Sequence, residues 1–126
     1  MKRIRVKSIL KNETEKEKNI SNVDGLIIEN KIKYQELDKT KITLTFKDNG
    51  VELIRENEES KINISFIEKK ETNSKYYIKK LDFRIPVRVF TKELKIDENI
   101  IIIKYNLLLN ESHLKSYEYI VFYKEW

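Results

Sequence analysis

The sequence contains no cysteine and no alanine, only two glycines and one proline, and a single histidine. The absence of cysteine excludes disulfides, thiolate catalysis and cysteine-based zinc sites. Because Gly25 and Gly50 are the only glycines, a glycine-rich phosphate-binding loop is excluded as well. A chain without alanine and with many β-branched residues disfavours long helices, since β-branched side chains lose rotamer freedom in a helix. These absences favour β-structure and exclude several common kinds of catalytic site.

Long apolar runs are also missing, and the tightest cluster is Ile100 to Ile103, far short of a membrane span. The N-terminal segment MKRIRVKSIL is basic but has no uninterrupted apolar stretch, so it does not predict a signal peptide. A chain of 126 residues with 40% hydrophobic and 37% charged residues is typical of one soluble domain, which we expect to span residues 1–126. Together with the lack of cysteine, these features predict a cytoplasmic protein.

The formal net charge is +5, and lysine supplies 21 of the 26 basic residues. Lysine, isoleucine and asparagine are all abundant, and their codons are poor in G and C, so part of the basic excess reflects genome composition. Lysine and glutamate are interleaved, as in KNETEKEKN and IEKKETNSK, which is typical of solvated turns and strand faces. An arginine-rich or clustered basic face would indicate nucleic-acid binding more strongly. Nucleic-acid binding therefore stays an alternative interpretation at this point.

Alternation of apolar and polar residues recurs along the whole chain and predicts β-strands. Residues 2–11 and residues 42–47 show it most clearly, and polar turns separate such segments about every eight to twelve residues. That spacing is typical of sandwiches and barrels. We therefore predict an all-β fold, a single antiparallel meander of about eight to ten strands, which closes into a barrel because closure removes exposed edges.

Several local signals refine this prediction. Residues 12–19 are wholly polar and are expected to form a loop or the frayed ends of two strands. Asp24-Gly25 is interpreted as a bend or bulge, and Asn30-Lys31 as a tight turn. Asp48-Asn49-Gly50 contains the Asn-Gly pair that type I′ turns favour. Pro86 argues for an edge position or a bulge, because proline cannot donate a ladder hydrogen bond.

The stretch from Asn99 to Trp126 contains two apolar runs joined by the polar segment ESHLKS, and so predicts a β-hairpin. The second run is apolar on both faces. We therefore expect it to be buried on both sides, in the barrel and against a neighbour or a partner. One face carries Tyr117, Tyr119, Val121 and Tyr123, and the other carries Ile120, Phe122 and Trp126.

The C-terminal third contains FRIPVRVFTKELKI, IIIIKYNLLLN and YEYIVFYKE in that order. This pattern resembles the YwiB-like family of small bacterial proteins, in which a strand ending in Thr-x-x-Leu precedes an apolar strand carrying Tyr-x-Leu. Here those marks are Thr91, Leu94, Tyr105 and Leu107. The family tends to place a glycine turn where this chain has Leu81-Asp82-Phe83. The resemblance covers nearly the whole chain, and it implies a calycin-like, lipocalin-like β-barrel in a cytoplasmic bacterial protein, a domain of unknown function with no established activity.

The residues offer little for catalysis or metal binding. His113 is the only histidine, and we expect it in a solvent-exposed loop, where its sequence neighbour Ser112 does not by itself make a catalytic pair. Asp48-Asn49-Gly50 lacks the acidic ligands that should follow in a calcium loop, and one histidine without cysteine leaves no common zinc site. A catalytic carboxylate pair among the 21 acidic residues stays open. We expect no catalytic residues, no metal and no cofactor.

The candidate ligand-binding residues are aromatic and arginine side chains of the C-terminal half. Tyr105, Tyr119 and Tyr123 can form ordinary core, with hydroxyls at the rim, or they can line an amphipathic pocket. An eight-stranded barrel can be filled by side chains or hold one small ligand. Arg84 and Arg88 share a strand face, and they would meet an anionic ligand if that face is internal, or lie at the surface if it is external.

Three functions follow from these observations. The leading hypothesis is a non-enzymatic binding module for a small apolar or amphipathic ligand, including an anionic one. The second is binding of RNA or single-stranded nucleic acid through a basic face with exposed aromatic residues. The third is a structural or protein-interaction role, in which the two-sided apolar hairpin forms a homodimer interface.

Overall fold

The computed structural model describes all residues from Met1 to Trp126 and consists of ten strands without a helix. No helix that could cross a membrane is therefore present. The strands are β1 (Lys2–Asn12), β2 (Glu17–Ile28), β3 (Lys31–Gln35), β4 (Lys41–Lys47), β5 (Gly50–Glu56), β6 (Ser60–Phe66), β7 (Glu71–Ile78), β8 (Phe83–Asp97), β9 (Ile100–Leu109) and β10 (His113–Glu125).

Each strand pairs with its neighbours in sequence, and β1 also pairs with β10, so the meander closes into a barrel. All ten pairings are antiparallel. The prediction of an all-β, antiparallel, closed meander is confirmed, as is the C-terminal hairpin, which is formed by β9 and β10.

Period-two alternation places one face of every strand inside the barrel. In β1, Ile4 and Val6 are fully buried, whereas Arg3 and Arg5 between and beside them are exposed. The middle of the barrel is a packed core of 18 buried hydrophobic residues drawn from nine of the ten strands. Each buried aliphatic side chain contributes about 1.5–3 kcal/mol relative to exposure, so this interior dominates the stability of the fold.

The predicted bulge at Asp24-Gly25 is wrong, because the register of β2 with β1 runs through this position without a shift. Gly25, opposite Tyr34, is the residue of β2 at which the β2–β3 pairing ends. A Cβ atom at Gly25 would lie 2.7 Å from the carbonyl oxygen of Lys33. Glycine is therefore required by the close approach of β3 rather than by a turn.

Gly50 has a similar role, since a Cβ atom there would lie 2.0 Å from the carbonyl oxygen of Phe66 on β6. Asp48 and Asn49 form the turn, and neither they nor Gly50 has a positive φ. A type I′ turn needs positive φ at both central residues. The expected type I′ turn is therefore wrong, and the glycine after Asn49 serves packing between β5 and β6.

The polar segment of residues 12–19 contains the ends of two strands, as the second of its two interpretations has it. Only residues 13–16 form a turn, because the flanking polar residues continue the β1–β2 ladder. Backbone pairing does not require apolar side chains, so polar strand ends pair here. The β2–β3 turn is Glu29-Asn30, with Glu29 at a φ of 55°, one residue before the predicted Asn30-Lys31. Asp82, where the resembling family has a glycine turn, has a φ of 46°.

Pro86 lies at a locally unpaired edge of β8 and not at a bulge, which agrees with the first of its two predicted positions. The barrel is closed, and the β8–β9 pairing begins one residue later, with Val87 opposite Leu109. Pro86 therefore lies where β8 extends past β9, and its missing N–H leaves no gap in that ladder. Its carbonyl oxygen still accepts a hydrogen bond from the backbone N–H of Asn110.

The register shift of β8 lies instead between Thr91 and Glu93. Lys92 is the extra residue, since Thr91 is opposite Tyr105 and Glu93 is opposite Lys104, the residue adjacent to Tyr105. Residues on the same face of a regular strand are an even number of positions apart, and one extra residue in a bulge allows an odd number. Thr91 is fully buried, and Leu94 packs against the same core although it lies three positions later.

Candidate functional site

The two arginines predicted as ligand contacts lie outside the barrel. Arg84 is exposed and its guanidinium lies over the ring of Tyr77, 4.3 Å from the ring centre. Arg88 donates a hydrogen bond of 2.7 Å to Glu111 and also lies 3.7 Å from a carboxylate oxygen of Glu71. Neither arginine meets the interior tyrosines, so the structure does not bring the predicted set together.

Tyr105 and Tyr123 point inward but belong to the packed interior. The Tyr105 ring lies 4.8 Å from that of Phe66 and stacks on Tyr117 at 5.3 Å, measured between ring centres. Desolvation of the buried hydroxyl raises the pKa of Tyr105 far above its usual value. Tyr123 is partly buried against the same core. These two tyrosines therefore support the core rather than an open pocket.

Tyr119 is the one predicted site residue that lies beside a cavity with buried polar groups. It is buried, and its hydroxyl forms a short hydrogen bond with the hydroxyl of Tyr34 across the barrel. Burial raises the pKa of both tyrosines, and for Tyr119 the neighbouring Tyr34 raises it further. Both hydroxyls therefore stay neutral at ordinary pH and can donate and accept hydrogen bonds. Ser8, also buried, lies next to Tyr34.

The cavity next to Tyr119 exists because β2 and β3 separate. β2 pairs with β1 along almost its whole length, from Glu17 to Ile27, but pairs with β3 only over Gly25–Ile28. The remaining part of β2 has a free edge that faces the loop after β3. We call the resulting opening, of about 300 Å³, the β2–β3 cleft.

The cleft combines polar groups at its floor with apolar groups at its rim. Ser8 and Tyr119 are buried at the floor, and Ser21 has a buried hydroxyl without a hydrogen-bond partner. At the rim, Leu37 is 86% exposed and Ile20 is 55% exposed. The ten lining residues are Ser8, Leu10, Asn19, Ile20, Ser21, Glu36, Leu37, Asp38, Arg55 and Tyr119.

Arg55, Glu36 and Asp38 are the charged residues that line the β2–β3 cleft, and Arg55 pairs with Glu36. Nη2 of Arg55 donates to a carboxylate oxygen of Glu36 at 2.9 Å, and this is the only hydrogen bond that the guanidinium forms. Burial opposes the charge of Arg55, but Glu36 together with Tyr119 and Tyr34 outweighs that effect and raises the pKa of Arg55. Arg55 therefore stays charged, and four of the five guanidinium N–H groups are left for another acceptor.

The alternation of residues in the sequence indicates that Arg55 is a candidate site residue. In VELIR, Arg55 shares the period-two face of Val51 and Leu53, and both of these are buried. An arginine on an inward face is a stronger indicator of a site than Arg84 and Arg88 on an outward one. Glu36 and Ser21 gave no comparable signal, because the gap between β2 and β3 depends on where the ladder ends.

The remaining chemistry-bearing residues lie away from the β2–β3 cleft. His113 is exposed at the start of β10, where a depression of about 240 Å³ also contacts Phe83 and Pro86. No group of three or more histidine, cysteine, aspartate or glutamate side chains is placed to hold a metal ion. A larger depression of about 410 Å³ lies beside Lys92 and Lys104, but none of its lining residues is buried.

The outer face of the C-terminal hairpin is not covered within the chain, contrary to the expectation that a neighbouring part of the fold buries it. Phe122 is 41% exposed and Trp126 is 71% exposed. Ile120 is half-buried, and it lies in register between Ile9 of β1 and Ile102 of β9. The second face of β10 is therefore apolar outer surface of the barrel.

Comparison with known proteins gives a family and a fold. A family model described as "Domain of unknown function (DUF1934)" matches residues 4–120. The crystal structure of the YwiB protein from Bacillus subtilis is similar with a TM-score of 0.67, over 98% of this chain and 90% of that chain, at 16% identity. At that identity the likeness shows the fold alone. No curated protein matches the chain.

The residues that carried the sequence resemblance are core positions of this fold. Thr91 and Tyr105 face each other across β8 and β9, and both are buried. Leu94 and Leu107 pack against the core around the β8 bulge. These marks therefore identify a barrel architecture and lie outside the β2–β3 cleft. Because the matched segment covers nearly the whole chain, the protein belongs to the DUF1934 family, the family of YwiB-like β-barrels of unknown function.

Proposed function

We propose that the protein is a non-enzymatic binding module that holds a small amphipathic molecule in the β2–β3 cleft. The observation that carries this proposal is the arrangement of Arg55, Tyr119 and Ser8 beneath the exposed Leu37 and Ile20. Binding pockets combine a mainly apolar lining with a few placed polar groups that fix orientation. A volume of about 300 Å³ lies at the small end of ligand pockets.

The polar groups of the cleft define the chemistry of the ligand. The free N–H groups of Arg55 require an acceptor, and the second carboxylate oxygen of Glu36 can accept from a donor. The floor therefore suits a polar end that carries acceptors, with or without a donor beside them. The apolar part of the ligand would contact Leu10, Ile20 and Leu37. The lipocalin-like character implied by the sequence resemblance fits this proposal, since such barrels hold one small ligand.

Binding without catalysis accounts for the residues that line the cleft. Arg55 and Glu36 form an ion pair, and the raised pKa values of Tyr34 and Tyr119 make both hydroxyls poor proton donors to a base at neutral pH. A general acid or base works best with a pKa near the working pH. We place this activity in the cytoplasm, in line with the absence of cysteine.

Titration with 1-anilinonaphthalene-8-sulfonate tests the proposal, because this probe joins an apolar ring system to an acceptor group. We expect its fluorescence to rise on binding, and the substitution Arg55→Gln to weaken its affinity about 10- to 150-fold, as the loss of a charge-assisted hydrogen bond requires. The matched control is Arg84→Gln, which removes an outer guanidinium and should leave the affinity unchanged. Native mass spectrometry of protein purified from cells would show a retained natural ligand as added mass.

A second variant separates binding from folding. Leu37 is 86% exposed, so Leu37→Asp should preserve the fold while it places a charge at the apolar rim. We expect this variant to bind the probe more weakly as well. Equal probe affinity in Arg55→Gln, Leu37→Asp and the unsubstituted protein would show that the cleft is not the binding site.

A further inference from the structure

Basic residues cluster on one outer surface of the barrel. Arg3, Arg5 and Lys7 alternate with buried residues along β1, so their side chains point to solvent. Two of the five arginines of the chain therefore share one strand face. Neighbouring strands add three more exposed cations to this side of the barrel, and we call the whole set the basic face: Arg3, Arg5, Lys7, Lys31, Lys33 and Lys124.

The strand register places these cations close to one another. Arg5 lies directly opposite Lys124 on β10, and Arg3 lies opposite Leu26, which in turn is opposite Lys33 on β3. Like charges that face each other across strands are destabilising. An anionic partner would relieve this repulsion.

Most cations of the basic face have no carboxylate partner. Arg5 forms an ion pair of 2.9 Å with Asp24, while the other five basic side chains make no ion pair within the chain. A row of charged outer residues further along β1 differs, beyond the apolar row of Ile9 and Ile120. There, Lys11 and Lys104 both pair with Glu118, so charge is compensated across three strands.

Two exposed aromatic side chains lie on the same surface. Phe122 is opposite Lys7, and the guanidinium of Arg3 lies 5.8 Å from the ring centre of Trp126. Trp126 directly follows β10, so the two rings are four residues apart along the chain, about 13 Å at the usual rise of a strand. Stacked bases of one strand are only about 3.4 Å apart. Phe122 and Trp126 could therefore take bases of non-adjacent nucleotides, with Lys124 between them.

We propose that the basic face binds single-stranded nucleic acid, with Phe122 and Trp126 as stacking platforms. Proteins that bind single strands without sequence preference combine a cationic path for the backbone with aromatic side chains for the bases. The flanking cations of this surface would meet phosphates, and the two exposed rings would meet bases. This site lies on the outer surface of β1, β3 and β10 and shares no residue with the β2–β3 cleft.

Fluorescence anisotropy with labelled single-stranded oligothymidylate and oligouridylate of 20 nucleotides tests this proposal. About four phosphate contacts predict that affinity falls roughly 50-fold between 50 and 200 mM salt. The double variant Lys7→Gln with Lys124→Gln should bind more weakly and with a shallower salt dependence. Phe122→Ala with Trp126→Ala should lower affinity at least about 30-fold, because two stacking contacts are lost.

A charge-matched control uses two exposed cations on the opposite side of the barrel, Lys61 and Lys75. Lys61→Gln with Lys75→Gln changes the net charge equally and should leave the affinity unchanged. The proposal is wrong if this control weakens binding as much as the Lys7 and Lys124 variant, or if no binding occurs at 50 mM salt. The proposal is also wrong if Phe122→Ala with Trp126→Ala leaves the affinity for the oligonucleotides unchanged. It is wrong as well if the substitutions on the basic face leave oligonucleotide binding intact but abolish a homodimer or adsorption to anionic lipid vesicles.

Discussion

The hydroxyl of Thr91 is fully buried and has no hydrogen-bond partner. The backbone of the same residue is well satisfied, since its N–H donates to Lys70 and its carbonyl oxygen accepts from Lys69. Threonine is therefore tolerated here for its β-branched shape and for its place beside the bulge. An unpaired buried hydroxyl costs roughly 1–3 kcal/mol.

The substitution Thr91→Val should stabilise the protein by about 1–2 kcal/mol, because it keeps the branched shape and removes the unpaired hydroxyl. Urea unfolding of both proteins measures this change in the free energy of unfolding. Thr72→Val is the matched control with the opposite sign, since the Thr72 hydroxyl donates to the carbonyl oxygen of Ser65 at 2.7 Å. That variant should lose about 1 kcal/mol. Destabilisation by Thr91→Val would show that its hydroxyl has a partner in solution.

At the scale of single residues, period-two alternation predicted which side chains share a strand face. It grouped Tyr119 with Val121, and Arg55 has the same direction as Val51 and Leu53. It could not show that Arg55 meets Glu36, because that contact joins β5 to the loop after β3. Alternation also grouped Arg84 and Arg88 correctly on one face of β8, but it could not show that this face lies outside the barrel.

At the scale of strands, the number of segments and their antiparallel order could be predicted, but irregular positions could not. Glycine was interpreted as a break or a turn residue, yet Gly25 and Gly50 serve close strand approach, whereas Pro86 does lie at an unpaired edge beyond a ladder end. The true bulge at Lys92 carries no glycine or proline. Its only trace in the sequence is the odd spacing of Thr91 and Leu94, which both face inward.

Two deletions of equal length test this account of β8. Deletion of Lys92 removes the extra residue, so Thr91 and Leu94 keep their inward direction in a regular strand. Deletion of Phe90 also restores a regular strand, but it turns Thr91 outward and Lys92 into the core. Burial of an unpaired charge costs several kcal/mol. We expect the Lys92 deletion to fold and the Phe90 deletion to be far less stable in urea, whereas equal stability would contradict the assigned bulge.

At the scale of the whole molecule, the barrel buries tyrosines from strands that are far apart in sequence. Tyr34 and Tyr119 come from β3 and β10, and their hydroxyls meet across the interior. Tyr105 contacts Phe66 of β6 and Tyr117 of β10. Closure of the meander brings these strands together, so no local sequence pattern could predict which tyrosines share an environment.

This burial predicts a loss of stability at alkaline pH. Desolvation raises the pKa of Tyr105 and Tyr119 far above the value of about 10 that tyrosine has in an unfolded chain. Below that pH both states keep the proton, and stability is unaffected. Above it the unfolded chain releases protons that the folded chain retains, so the free energy of unfolding falls as pH rises. For two such tyrosines the loss between pH 9 and pH 11 is about 3 kcal/mol.

Urea unfolding across this pH range measures the effect, and tyrosinate absorbance near 295 nm shows whether ionisation accompanies unfolding. The variant Tyr105→Phe removes one of the two groups, so its free energy of unfolding should fall by about 1.4 kcal/mol less over the same range. The comparison cancels the contribution of lysines, which also titrate near this pH in both proteins. An identical pH dependence in Tyr105→Phe and the unsubstituted protein would show that the Tyr105 hydroxyl ionises freely in the folded barrel.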